Sequence, residues 1–441
     1  MRIILIVLLL QLCSQSVLGA IITGAVYDRE SGEPIPYVTI RVEGTGRSAL
    51  ANEQGQYRLL LEPGVYSLRF SHVAHFSDYL EVEVGDSSLV LDVILRPAIV
   101  ELPGIRVYDR AYDPAQRIIV EAIRHKQEIL ARLRSYRCQA YVKSVIRAED
   151  KDDSVNILGI VESQLEYLWE QPDKYKETIV ARRQTSNIKA DLNVTSIENI
   201  PDFNRDRVKF DRYSIISPTA TDALKYYNYY LLDTIFVDGK TVFRLEVEPK
   251  NETDPLVVGT IDIADSTFNI VGVEGGLGAG VYLPYVKNFH YNQRFAELGD
   301  GFWMPIEIHV EMTVSYFGKR FSIDYVFALS DYTFDYAMPV GTFDYALEIT
   351  KDADDVDSVT WNARQMIPLT SEEQRGYERI DSLVNAPKPL YKRALSGLWF
   401  LYRSTFNYDL FRFNRVEGAY VGIGQHWWEP LPSMELEIRT G

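Results

Sequence analysis

Cysteine is nearly absent: Cys13 and Cys138 are the only two in 441 residues. Cys13 falls in the N-terminal leader described below. The mature chain is therefore left with one thiol, no internal disulfide is possible, and stability must come from burial. Long apolar runs are also missing. No stretch reaches the roughly 18 consecutive apolar residues of a membrane-spanning helix, so the routes to a membrane that stay open are a β-barrel or a surface contact. Basic charge is in deficit, with 46 Lys and Arg against 62 Asp and Glu and a formal charge of −16. Such a chain repels a phosphate backbone, which excludes a general nucleic-acid binder. Histidine is scarce, at six, which limits any imidazole-based metal or acid–base site.

Aromatic residues are plentiful. Tyr 29, Phe 19 and Trp 6 favour β structure, and a 46% hydrophobic content is too high for a mostly disordered chain. Met1-Arg2, the apolar run Ile3 to Leu10 and the small residues of Val17-Leu18-Gly19-Ala20 read as a secretory signal over 1–20. Acylation at Cys13 is disfavoured by the bulky Leu12 before it. The mature chain is expected to start at Ala20 or Ile21, exported across an inner membrane.

Residues 21–97 read as a small β-sandwich. Val38, Ile40 and Val42 alternate with polar neighbours, as do Tyr57, Leu59, Leu61 and Tyr66, Leu68, Phe70. Ser31-Gly32-Glu33-Pro34, Asn52-Glu53-Gln54-Gly55 and Glu62-Pro63-Gly64 supply turns between them. The segment 98–134 is a linker with one amphipathic helix. Asp113-Pro114-Ala115-Gln116 predicts its start, and Ile118, Ile119, Ala122, Ile123, Ile129, Leu130 and Leu133 share one face. Residues 135–350 form a large β-rich domain. In it Ile306, Ile308, Val310, Met312 and Val314 alternate with Glu307, His309, Glu311 and Thr313, which predicts an antiparallel sheet with one buried and one wet face. That sheet either packs on the 114–134 helix, the preferred reading, or curves into a half-barrel sheltering an apolar ligand.

Residues 351–390 read as an acidic linker and a short helix. Asp352, Asp354, Asp355 and Asp357 lack the glycine of a calcium loop, so they read as solvated, and Thr370-Ser371-Glu372-Glu373 predicts a capped helix to about Leu383. The span 391–441 concentrates Trp399, Phe400, Tyr402, Trp427 and Trp428, aromatics suited to a lipid–water boundary, and reads as the start of a β-barrel. A closed barrel needs at least about eight strands. The expectation is therefore a truncated or split product, with strands of the soluble domain as the alternative. The fold class is mainly β: a sandwich, one linking helix, an antiparallel β-rich domain and a barrel-like C-terminal segment.

Two resemblances reinforce this layout. Gly24-Ala25-Val26-Tyr27-Asp28, Ser31-Gly32-Glu33-Pro34-Ile35-Pro36 and Pro63-Gly64-Val65-Tyr66 resemble the carboxypeptidase-regulatory-like domain, a transthyretin-like accessory module without catalysis. Asp113-Pro114, Tyr141-Val142-Lys143, Pro172-Asp173-Lys174-Tyr175, Trp303-Met304-Pro305 and Asn414-Arg415-Val416-Glu417-Gly418 resemble, in order, a family of envelope proteins. Those proteins join such a module to a β region of unassigned function and an outer-membrane barrel. The resemblance implies the periplasm or outer membrane of a Gram-negative-type envelope, with the outer membrane and an envelope protein or lipid as partners, and no nucleic acid.

Candidate chemistry is thin. His125 and Glu128 have the spacing of two zinc ligands, with His290 or His309 as a third, but they lie on the charged face of an amphipathic helix. His72 and His75 are a close pair lacking a third ligand. Asn193 and Asn251 match a glycosylation pattern by chance. No catalytic, cofactor or metal residues are assigned. The expected function is a non-enzymatic envelope protein acting in transport, assembly or surface interaction. The alternatives are a metal-dependent hydrolase hidden in the β-rich region and a lipid-carrying half-barrel.

Overall fold

A computed structural model describes residues 19–101, 114–149, 155–190, 193, 203–210, 212–298, 301–316, 319–384, 411–414 and 418–421. Residues 1–18 of the expected leader, Cys13 among them, and most of the aromatic C-terminal span lie outside the described residues, whereas Gly19 and Ala20 are described. The chain divides into two compact units, 1–380 and 381–441. The fold is mainly β.

Period-2 segments at the start of the first unit become eight short strands: β1 (Ala20–Asp28), β2 (Thr39–Val42), β3 (Ser48–Leu50), β4 (Gln56–Leu61), β5 (Gly64–His72), β6 (His75–Val84), β7 (Leu89–Val90) and β8 (Val93–Leu95). They build two sheets, β4-β1-β7 with β8 also on β1, and β3-β2-β5-β6. The alternating residues anticipated as inward do face the core: Val38, Ile40, Val42, Tyr57, Leu61, Leu68 and Phe70 are essentially out of water. Tyr57 keeps its hydroxyl satisfied by donating to the Leu91 carbonyl at 2.6 Å.

After β9 (Ile99–Glu101) comes α1 (Ala115–Arg132). Pro114 stands at its N-cap position with no side-chain cap, and Asp113 lies outside the described residues. The helix buries Ile118, Ile119, Ala122, Ile123 and Ile129, as its spacing requires, and also Lys126. The Lys126 ammonium is compensated by Asp206 at 3.1 Å. At the C-terminal end Ile129 and Leu133 pack with Phe302 and Met304.

The rest of the first unit is dominated by one twelve-stranded open sheet. Its long strands are β10 (Ser135–Glu149), β11 (Val155–Glu170) and β12 (Lys174–Gln184). A side hairpin, β13 (Arg207–Phe210) with β14 (Tyr213–Ile216), precedes β15 (Tyr227–Val237), β16 (Lys240–Pro249), β17 (Val257–Ala264), β18 (Ile270–Leu277), β19 (Val286–Leu298), β20 (Phe302–Tyr316), β21 (Lys319–Phe334) and β22 (Leu347–Ile349). The spatial order is β22-β12-β11-β10-β21-β20-β19-β18-β17-β16-β15-β9, so β22 and β9 are edges and the described sheet does not close. Every pairing is antiparallel except β12 with β22.

Register divides the side chains into two faces. Val142, Phe327, Ile308 and Gln293 sit side by side on one, and Tyr291, Val273, Ile261 and Leu245 extend it. Phe203 covers part of that face, edge-on to Tyr291 at 5.0 Å. The opposite face carries Tyr141, Lys143, Glu162, Arg183, Glu307 and His309.

Here the expectation of a wet face needs correction. Glu162, Lys143, Glu307 and His309 are all buried, at 0%, 4%, 2% and 8% exposure. The cover comes from the sandwich and from the segment after β22, with α2 (Ser358–Arg364) and α3 (Ser371–Val384). Leu50 of the sandwich, Tyr141 of the sheet, and Trp361 and Ile367 of the later segment share one core. The start of α3 is the anticipated capping box: Thr370 Oγ1 accepts from the Glu373 N–H at 3.1 Å, and Glu373 Oε2 accepts from the Thr370 N–H at 2.8 Å.

The second unit shows a hairpin, β23 (Phe411–Asn414) with β24 (Gly418–Val421).

Candidate functional site

Where the sandwich stands over the polar face of the sheet, a cavity of about 830 Å³ is left between them. Its roof is the outer side of β2 and β5 together with the β2–β3 turn. Its floor is the ends of β15, β16, β19, β20 and β21. Ile235, Val242, Val271, Ile306 and Phe334 make the floor apolar, whereas Thr39, Arg41, Ser48, Arg69, Ser71 and His72 make the roof polar.

The roof has one electrostatically costly feature. Arg41 and Arg69 are directly opposite each other in the β2–β5 pairing, an arrangement that destabilises a strand pair unless something compensates it. Each finds an acceptor on the floor. Arg41 donates to the Glu297 carbonyl at 2.8 Å, and Arg69 reaches Asp238 at 3.4 Å. Asp238 is more tightly engaged elsewhere, accepting from the Ser77 N–H at 2.7 Å and the Ser77 hydroxyl at 2.5 Å. Burial, with Arg69 adding to it, holds the Arg41 guanidinium below its ordinary range. The other lining carboxylates, Glu43, Glu297 and Asp331, are exposed.

His72 connects this cavity to the sandwich edge. Its Nδ1 accepts from the Ala74 N–H at 3.3 Å and lies 2.9 Å from His75 Nδ1, and His75 Nε2 meets Asp28 Oδ2 at 2.8 Å. With Nδ1 accepting from the Ala74 N–H, the neutral His72 ring carries its proton on Nε2. The N–H of Ser31, and then His75, hold the Asp28 carboxyl down at about 2. Burial, with Arg294 and His75 adding to it, pushes His72 down to about 3, so its ring is neutral at ordinary pH.

A second polar group lies beside the floor. Arg294 Nε and Glu307 Oε2 are 3.7 Å apart, and neither atom has a hydrogen-bond partner; nor does His309 Nε2. Burial raises the Glu307 carboxyl to about 7, opposed by Arg294. Burial, with neighbouring cations adding to it, depresses His309 to about 4. Tyr37 of the sandwich lies against the His309 ring, 4.7 Å between centroids.

A buried carboxylate hub, away from the cavity, ties sheet to cover. Glu162 accepts from Tyr141, from Arg183 Nε at 2.6 Å, from Gln365 at 3.0 Å and from Tyr377 at 2.9 Å. With its lone pairs consumed by fixed partners, this is a structural device rather than an open reactive centre.

The residues singled out from sequence are dispersed. His125 Nδ1 and Glu128 are 3.8 Å apart on the exposed side of α1, while His290 pairs loosely with Glu274 and His309 with Glu311. Among the described residues no three His, Cys, Asp or Glu side chains converge as a metal site. The acidic run is less solvated than expected. Asp354 forms a two-pronged pair with Arg182 at 2.7 and 2.9 Å, and Asp357 caps α2 through the Thr360 N–H at 2.9 Å. Asn193 is buried and hydrogen-bonded to the Glu162 and Arg183 carbonyls, whereas Asn251 sits in an exposed turn with Thr253. Cys138 is buried, which pushes its thiol far up. Sequence reasoning missed Arg41, Arg69 and Arg294. Arg41 and Arg69 had the signature of solvent-facing residues, and only the pairing of like charges marks them.

Residues 22–107 match the CarboxypepD_reg-like domain, and residues 118–332 match a family of unknown function (DUF5686). No curated protein matches the chain. Solved structures resemble parts of it. A DUF1329 family protein from Desulfovibrio piger is 13% identical, with 52% of this chain and 97% of that one covered and a TM-score of 0.26. A LolA superfamily protein from Nitrosomonas europaea is 15% identical, with 52% and 96% covered and a TM-score of 0.24. The MucA/MucB complex from Pseudomonas aeruginosa gives 10% identity, 52% and 96% coverage and a TM-score of 0.17. The chain carries a CarboxypepD_reg-like domain followed by a domain of the DUF5686 family.

Proposed function

We propose that this protein is a non-enzymatic binding component of a Gram-negative-type cell envelope, exported by its N-terminal leader and holding a ligand between its sandwich and its sheet. The observation that carries this reading is the cavity of about 830 Å³ between the two domains. Its size falls within the range of about 300–1,000 Å³ for small-molecule sites, and its apolar floor with a few placed polar groups is the usual composition of one. The buried charges elsewhere in the fold are consistent with a holding role: Glu162 and Lys143 spend their hydrogen bonds on fixed partners. Attachment to an outer-membrane barrel, and work in transport, assembly or surface interaction, belong to the same proposal. They rest on the aromatic C-terminal span and the order of the domains.

The test is expression of the full chain in a Gram-negative host, followed by fractionation and cross-linking in intact cells from a photoreactive residue replacing Trp303 on the cavity wall. The expected result is recovery with the envelope and a cross-linked adduct that Thr39→Trp, filling the cavity from its roof, abolishes. Recovery from the cytosol with the leader intact, or turnover of ester, peptide or glycoside substrates by the purified chain, overturns the proposal.

A further inference from the structure

The division of the cavity into an apolar floor and a cationic roof says what kind of molecule it fits, and this inference rests on the cavity being the binding site. We infer that the cavity takes a single-chain amphiphile, its apolar chain along Ile235, Val242, Val271, Ile306 and Phe334 and its anionic head against Arg41, Arg69 and Arg294.

Three independent features point to an anionic head. Arg41 and Arg69 are cross-strand neighbours of like charge, and their floor acceptors are a backbone carbonyl and a carboxylate already better bound to Ser77. A carboxylate or phosphate between the two guanidinium groups supplies the negative charge that this pairing lacks. Arg294 adds a third guanidinium to the lining, its buried Nε 3.7 Å from Glu307 Oε2. His72 is held by the Ala74 N–H in the tautomer that leaves Nε2–H as its donor, which adds a neutral hydrogen-bonding group to the lining beside the arginines. The lining carboxylates that would repel an anion, Glu43, Glu297 and Asp331, are on exposed positions, and Asp238 is turned toward Ser77, whose N–H and hydroxyl it accepts from. Glu307, whose carboxyl burial holds at about 7, compensates Arg294 only in part near neutral pH.

The apolar floor excludes a small inorganic ion as the natural occupant. Val271, Ile306 and Phe334 keep part of their surface open at this floor, which gains nothing from phosphate and is favourably covered by a hydrocarbon chain, at roughly 25 cal/mol for each Å² withdrawn from water.

The experiment uses the full chain and the fluorescence of cis-parinaric acid, displaced by dodecyl phosphate, by dodecanol or by inorganic phosphate. Dodecyl phosphate is expected to displace the probe at a concentration about tenfold or more below that of dodecanol, the usual worth of hydrogen bonds to a charged head, while inorganic phosphate displaces nothing. Arg41→Gln with Arg69→Gln should erase the phosphate advantage and leave dodecanol unmoved. Thr39→Trp should weaken both amphiphiles. Arg294→Gln paired with Glu307→Gln, which removes both members of the buried pair, should reduce the advantage partly. Equal displacement by dodecanol and dodecyl phosphate overturns the anionic head but leaves the cavity as a binding site. Displacement by inorganic phosphate overturns the amphiphile. Binding indifferent to Thr39→Trp overturns the location. Failure of cis-parinaric acid to bind, together with a bare mass by native mass spectrometry for chain purified from the envelope, overturns the binding reading itself.

Discussion

Lys143 of β10 and Glu373 of α3 meet at 2.9 Å with their side chains only 5% and 1% exposed, though 230 residues separate them in the chain. The same carboxylate closes the capping box with the Thr370 N–H. One buried acid therefore starts a helix and pins that helix to the sheet.

Removing one partner should be far worse than removing both. Glu373→Ala strands the Lys143 ammonium in the interior and loses the cap, and urea denaturation is expected to register a loss of about 3–5 kcal/mol. Lys143→Met with Glu373→Leu should recover most of that loss, since an apolar pair of similar volume pays no desolvation. A double variant no more stable than Glu373→Ala would contradict this account.

Opposing pH dependences are built into the floor of the cavity. The Glu307 carboxyl is raised to about 7, with Arg294 as its nearest charge, so between about pH 4.5 and 7 the folded state holds a proton that the unfolded state has released. Its contribution to stability is therefore present at low pH and lost as pH rises through 7. His309, depressed to about 4, acts in the opposite sense: between about 4 and 6.5 the unfolded state binds the proton, so stability rises with pH. The wild type is expected to show a shallow net profile in this range. Glu307→Gln removes the falling component, and relative to wild type its stability should improve by about 3 kcal/mol between pH 4.5 and 7. Chemical denaturation at stepped pH checks it, and a constant difference across the range would refute it.

Gly376 sits within α3, where alanine is intrinsically better by about 1 kcal/mol. A Cβ there would stand 2.9 Å from Ile157 Cδ1 and 3.2 Å from Ile157 Cβ. Overpacking of this kind costs about 1–3 kcal/mol, so packing should outweigh propensity and Gly376→Ala should lower Tm. Combining it with Ile157→Val, which opens space, should restore part of the loss in the same thermal melt.

Asp238, between β15 and β16, accepts two close hydrogen bonds from Ser77 of the sandwich. Asp238→Ala is expected to cost about 1–2 kcal/mol and to raise hydrogen exchange at Ser77 and its β6 neighbours more than in β10 or β21. Equal exchange in all of these strands would show that Asp238 is no latch.

Much of this architecture is legible in the residues themselves. Val38, Ile40, Val42 and the run from Ile308 to Val314 alternate because a pleated strand with an apolar side requires it, and Ile118 to Ile129 repeat every three or four because a helix does. Thr370 and Glu373 announce their helix through a local hydrogen-bond exchange. What period 2 does not report is the fate of the opposite side. Glu307 and His309 read as wet because polar side chains usually are, yet the sandwich and the 351–380 segment cover them. Glu162 and Gln365 lie 203 residues apart, and no local pattern links them. The cavity was illegible for the same reason: Arg41 and Arg69 look like ordinary surface charge until the partner strand and the facing sheet are known.

The shared core of Leu50, Tyr141, Trp361 and Ile367 has a consequence for biogenesis. Its members enter during synthesis more than 300 residues apart, so the carboxylate of Glu162 and the ammonium of Lys143 wait without their final neighbours until almost the whole first unit has emerged. Topology of this kind folds slowly and leaves sticky strand surfaces uncovered in the meantime, which exposes the growing chain to wrong pairings before its last segment arrives.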